Sequence, residues 1–123
     1  MRKLLWIDCT AGAVVGVAVL TLSAWLSRVE ALPREILLFT GAANLLYACY
    51  SLSLAMRVRR SRRAIELLVI ANGAWSVVCV ALAVSYASSA TWFGIAHLAG
   101  EAAFVGALAA CEWRCRAELA AGR

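Results

Sequence analysis

Along this chain the polar positions are confined to short intervals, and between them lie four stretches that are apolar on nearly every position: residues 4–26, 36–56, 65–86 and 91–111. Each reaches the roughly 20 residues that a helix needs to cross a hydrocarbon layer about 30 Å thick. The intervals are a charged, proline-containing link at 27–35, an arginine run at 57–63 and a short polar turn around Ser88 and Ser89. Membrane β-strands alternate polar and apolar residues over about ten positions, so segments apolar on all faces for twice that length are read as helices. Helices also satisfy every backbone amide internally, as lipid requires. The pattern predicts an all-α, polytopic membrane protein: a four-transmembrane-helix bundle formed by a single membrane domain, 1–123.

Aromatic residues check the boundaries, because Trp and Tyr favour the headgroup region. Trp6, Trp25, Tyr86, Trp92 and Trp113 fall near the ends of the spans. Tyr47, Tyr50 and Trp75 fall inside and must pack against protein or find a hydrogen-bond partner. With four crossings, ten of the 12 Lys and Arg residues share one side, leaving only Arg28 and Arg34 on the other. The positive side faces the cytoplasm, so both termini are expected inside and the protein in the cell inner (cytoplasmic) membrane. Reading the first span as a signal peptide would make Val29-Glu30-Ala31 a cleavage site. The apolar stretch is too long for that and carries Asp8, so the span is read as retained.

Composition narrows the classes further. Hydrophobic residues make up 64% of the 123 and charged residues 15%, against roughly half and a quarter in soluble domains. An ordinary water-soluble domain and a disordered chain are both excluded. The net charge of +5 does not indicate nucleic acid, since the arginines have no aromatic interleaving and form a short loop between spans. Arg57, Arg59, Arg60, Arg62 and Arg63 are instead candidates for contact with anionic lipid headgroups, each worth about 1 kcal/mol near the surface.

Each span carries a strongly polar side chain: Asp8, Asn44, Asn72, and the pair His97 and Glu101. Acids and bases at the centre of a span cost about 2.5–3.5 kcal/mol on insertion scales, so these groups are expected to face one another. Thr40, Asn44, Tyr47 and Ser51 make one helical stripe, and Asn72, Ser76, Cys79 and Tyr86 another. In the fourth span the face of His97 and Glu101 is read as continuing through Leu108, Cys111 and Cys115. His97 and Glu101 are neighbours four residues apart, with Glu101 near mid-membrane. Two roles are open to them: Glu101 exchanges a proton through His97, with Asn44 and Asn72 as hydrogen-bonding walls, or the four groups tie the bundle together permanently. Asp8, about one turn from the cytoplasmic surface, is expected to pair with Lys3, Arg57 or Arg114 or to reach water.

One histidine cannot supply paired imidazole ligands, and no zinc, haem, nucleotide or triad signature occurs, so neither metal, cofactor nor catalytic residues are assigned. The five cysteines (Cys9, Cys49, Cys79, Cys111 and Cys115) are odd in number and form no Cys-x-x-Cys; they are read as free, small apolar residues. Gly12-Ala13-Val14-Val15-Gly16 permits close helix approach, within the bundle or between chains. Gly41-Ala42-Ala43-Asn44-Leu45 aligns with Gly94-Ile95-Ala96-His97-Leu98, suggesting a repeat of two hairpins, 1–56 and 57–123.

The chain is similar in size and span count to the small multidrug-resistance exporters. It places its first-span acid near the surface rather than centrally, however, and it lacks the glycine-arginine and threonine/serine-phenylalanine patterns of fluoride channels. Neither function is carried over. Three classes remain. The leading one is a small non-enzymatic structural or accessory protein that contacts the bilayer, a membrane partner or a second copy of itself. The second is a proton-coupled transporter or channel for a small molecule or ion, acting as a homodimer with Glu101 as coupling acid. The third is a membrane enzyme using His97 and Glu101 on a lipid or quinone.

Overall fold

The computed structural model describes residues 2–57 and 61–120. Its helices are α1 (Arg2–Thr21), α2 (Ser23–Glu30), α3 (Arg34–Ala55), α4 (Arg62–Ser85), α5 (Trp92–Arg114) and α6 (Arg116–Ala120), with no strand among the described residues. Four of them, α1, α3, α4 and α5, have the length and hydropathy to cross a membrane. Val14, Leu46, Ile70, Val77, Val84 and Phe93 stand exposed on their outer faces, an apolar surface suited to acyl chains. Four helices of this length and hydropathy are compatible with a multi-pass membrane protein.

The contacts make successive spans antiparallel. Gly12 and Gly16 of α1 lie against Asn44, Ala48 and Gly41 of α3. Tyr47 and Tyr50 of α3 donate their hydroxyls to the Ala71 and Ala64 carbonyls of α4 at 2.9 and 2.8 Å. Ser76 of α4 donates to the Ala102 carbonyl of α5 at 2.7 Å. The three interior aromatics expected to need partners thus have them, Trp75 by way of Glu101.

The tightest seam is α1 against α3, and glycine makes it. A Cβ on Gly12 would sit 2.9 Å from the Asn44 carbonyl oxygen, and one on Gly16 only 2.8 Å from Leu45 Cγ and 3.0 Å from the Gly41 carbonyl oxygen. The Gly-x-x-x-Gly motif is therefore used inside the bundle. In α5, Gly106 gives Ser76 room in the same way, since its Cβ would lie 3.2 Å from that hydroxyl oxygen.

Three apolar layers stack along the bundle. One end holds Leu5, Leu54, Ile65, Leu68 and Leu119, the middle Trp75, Cys79, Ala102 and Val105, and the other end Val19, Leu32, Leu37 and Leu98. The polar groups lie between these layers.

The ends of the spans are well defined. Ser61 caps α4 by accepting the Ala64 N–H at 3.0 Å, and Thr91 caps α5 through the Gly94 N–H. Two features of the 27–35 link differ from expectation. The first span bends at Leu22, where the Thr21 hydroxyl bonds back to the Val17 carbonyl at 2.8 Å, a local competition that bends helices. The chain then resumes as α2, so Ser27–Glu30, expected as part of the link, is helix, and Glu30 is buried. The helix stops because Ala31 takes a left-handed conformation, φ 53°, and Pro33 follows. Arg59 and Arg60 lie outside the described residues; Arg62 pairs with Glu66 at 3.2 Å on the surface.

Substituting Gly16→Val forces a side chain into the α1–α3 seam and is expected to cost about 1–3 kcal/mol. Gly73→Ala, where a Cβ meets nothing within 4 Å, should be neutral or stabilise by up to about 1 kcal/mol. Unfolding in mixed micelles measures both; equal effects would remove the glycine seam as the reason for the tight hairpin.

Candidate functional site

The polar residues gather in two clusters at opposite ends of one cavity of about 260 Å³, lined by Asp8, Asn44, Asn72, His97 and Glu101 among largely apolar walls and partly open to the outside beside exposed Gly100 and Phe104. The cavity lies where α1 faces α5, between the tightly packed α1–α3 and α4–α5 pairs.

The first cluster is built on Glu101. Its Oε1 accepts two hydrogen bonds, from Asn44 Nδ2 at 2.7 Å and from Trp75 Nε1 at 2.8 Å. Asn44 is itself anchored by donating to the Thr40 carbonyl at 2.9 Å, one turn back on α3. Glu101 Oε2 faces His97 Nε2 at 3.3 Å, close enough for strong charge attraction but not aligned as a hydrogen bond. On the other side of the ring, His97 Nδ1 lies 2.8 Å from Glu30 Oε1. The imidazole is thus held between two carboxyl groups, and all three side chains are largely shielded from solvent. An imidazolium has an N–H for each neighbour, whereas a neutral ring has only one. The protonation of the ring and of its two carboxyls is therefore coupled by geometry.

Glu30 reaches this position because the end of α2 is fastened to the start of α5. The Thr91 N–H donates to the Glu30 carbonyl at 2.9 Å, and the Thr91 hydroxyl donates to the Val29 carbonyl at 2.7 Å. Gly94 completes the fit, since a Cβ there would lie 2.6 Å from the Glu30 carbonyl oxygen. The two aligned glycines, Gly41 and Gly94, each clear space for the α1–α2 segment: one meets Leu20, the other Glu30.

The second cluster joins Asp8, Asn72 and Glu112. The single Asn72 amide nitrogen donates to Asp8 Oδ2 at 3.0 Å and to Glu112 Oε1 at 2.8 Å. Glu112 is 0% exposed, Asn72 1% and Asp8 6%. The expected pairing of Asp8 with Lys3, Arg57 or Arg114 does not occur. α1 packs its Asp8 face inward onto α3 and α4, and an amide takes the place of a cation.

Of the five seam residues read from sequence, Asn44, His97 and Glu101 come together. Asp8 and Asn72 form the other group: Asn72 shares the cavity with Glu101 but does not hydrogen-bond it, and Trp75 supplies that donor. Glu30 and Glu112 were missed. Glu112 sits on the stripe Glu101, Val105, Leu108, Glu112, all buried, at spacings of four, seven and eleven. The face traced through Cys111 and Cys115 is displaced from it by one position, and Cys111 is exposed. Glu30 lies seven residues after buried Ser23 on the inner face of α2, a signal hidden by reading the link as loop. No group of three or more His, Cys, Asp and Glu able to hold a metal ion occurs among the described residues.

Comparison with protein-family models, curated proteins and solved structures finds no match to this chain. The functional reading rests on the geometry.

Trp75→Phe removes one of the two donors to Glu101 Oε1. The expected loss of stability is about 1–3 kcal/mol, and it should shrink when Glu101→Gln is already present. A double-mutant cycle by chemical unfolding measures the difference; a cost independent of Glu101 would assign the effect to indole packing alone.

Proposed function

We propose that this protein is a proton-coupled carrier of a small cation, residing in the cytoplasmic membrane with its arginine-rich end inside, and that Glu101 is its coupling acid. The observation that carries this reading is the cavity with carboxyl groups at both ends and no lysine or arginine on its wall. The field inside such a low-dielectric space favours positive charge. Tyr47, Trp75 and Phe104 supply aromatic faces to the same wall, which suits an organic cation or amine through cation–π attraction.

The chemistry follows from the three groups in line. A proton on Glu30 Oε1 passes to His97 Nδ1 as His97 Nε2 gives its proton to Glu101 Oε2. Glu101 Oε1 stays fixed by Asn44 and Trp75, so only Oε2 changes its bonding. Once protonated, Glu101 no longer attracts a cation in the cavity. Release of the cation and uptake of the proton are then one event seen from two sides.

A second reading has its own support. Every amide and indole donor of the two clusters is already paired across helices, as a permanent glue would be in a structural or accessory membrane protein.

Proteoliposomes decide between them. With an outward proton gradient, tetraethylammonium uptake is expected in the wild type and should fall at least tenfold in Glu101→Gln, whose amide preserves size and much of the hydrogen bonding. Wild-type vesicles that neither take up the cation nor move protons would overturn the carrier and leave the seam as glue.

A further inference from the structure

We propose that Asp8 and Glu112 hold a single proton between them, forming a second proton-binding site at the opposite end of the cavity from Glu101. Four observations lead there. The two carboxyl groups converge on one point, Asp8 Oδ2 and Glu112 Oε1 both lying within 3.0 Å of the same nitrogen, and both are buried. One amide nitrogen, Asn72 Nδ2, serves both, giving one hydrogen to each. Among the described residues, no Lys, Arg or His approaches either carboxylate within 4.0 Å. Finally, Glu112 Oε2 and Ser51 Oγ are fully enclosed and have no hydrogen-bond partner, and the Ser51 hydroxyl faces Asp8.

Two negative charges sharing one amide in an apolar interior would repel each other and leave these oxygens orphaned. Neutralisation is the usual response of a buried acid that lacks a cation, and two carboxyls that share a site cannot both ionise readily. One added proton answers every deficit. It forms an O–H on one carboxyl that donates to the other, converting two charges into one. The remaining carboxylate accepts from Asn72, and the Ser51 hydroxyl can turn to it. The groups facing the pair from α1, α3 and α4 are consistent with a lone proton: Cys9, Tyr47, Ser51 and Asn72 bring no fixed positive charge. Asp8 also lines the cavity, so the shared proton has contact with the volume that Glu101 faces from the other end.

The site rests on its own geometry. The proposal that a cation moves through the cavity can fail without it, because Glu101→Gln leaves Asp8 and Glu112 untouched. Infrared spectroscopy of the protein in lipid at neutral pH is the test. The wild type and Glu101→Gln should both show a protonated-carboxyl C=O band that shifts in D₂O and is lost in Asp8→Asn and in Glu112→Gln. Unfolding the wild type in dodecyl sulfate at neutral pH should release one more proton than unfolding either variant, because separation of the pair frees the shared proton. Should a single variant fail to fold, the doubly substituted Asp8→Asn, Glu112→Gln chain keeps the amide hydrogen bonding without the charges and must also lack the band. A band unchanged in these variants overturns the proposal. So does a sodium-dependent rise in melting temperature that Glu112→Gln abolishes, which would make the pair a metal-cation site.

Discussion

Among the described residues, four carboxyl groups are buried in this bundle and a single imidazole lies among them: that constraint organises the rest of the interior. A carboxylate removed from water costs several kcal/mol unless donors or a proton replace its solvation. The chain meets the demand with neutral donors. Asn44, Asn72 and Trp75 each aim their N–H at a carboxylate oxygen, and each comes from a different helix than the acid it serves. The polar seam therefore fixes the register of the helices while it solvates the acids. A leucine-only core would pack as well but would leave the helices free to slide by a turn.

Glycine controls where space is left. The α1–α3 pair is drawn together by Gly12, Gly16 and Gly41, whose missing side chains would otherwise strike the facing backbone or Leu20 and Leu45. The α4–α5 pair is bound by Ser76 reaching the Ala102 carbonyl beside Gly106. No corresponding close contact joins α1 to α5 across the middle. At Gly100, one turn from His97 and on the cavity wall, a Cβ would meet nothing within 4 Å. Two compact hairpins with a gap between them form a cavity, and the helix segments that line it are unbroken.

The spans were legible in the sequence because lipid imposes a single rule, apolarity over a fixed length, and four segments obey it. The polar seam was legible in part. Asn44 and Glu101 meet because an acid and an amide deep in lipid have few alternatives. Asp8 was misread for a physical reason. A position near the start of a span does not tell which way the helix face turns, and the Gly12–Gly16 seam turns that face inward. Glu112 and Glu30 lie where the apolar runs end, and composition alone cannot separate an acid that caps a span from one that folds back under it. Glu30 is brought inside by a tertiary contact, Thr91 and Gly94 holding the end of α2, which no local pattern encodes.

The spacing of the two clusters has a consequence for any mechanism. Glu101 and Glu112 are eleven residues apart on one helix, about 16 Å at 1.5 Å per residue. No hydrogen bond spans that distance, and between the residues of this stretch that face the cavity the walls are apolar: Phe104, Val105 and Leu108. A proton moving from one cluster to the other must travel on water occupying the cavity. A bound organic cation displaces that water. In the proposed carrier, a bound cation would insulate the two carboxyl clusters from each other, and its departure would let water reconnect them. Proton movement and cation occupancy would then exclude each other by competition for one volume, a form of coupling that requires no large rearrangement of the helices.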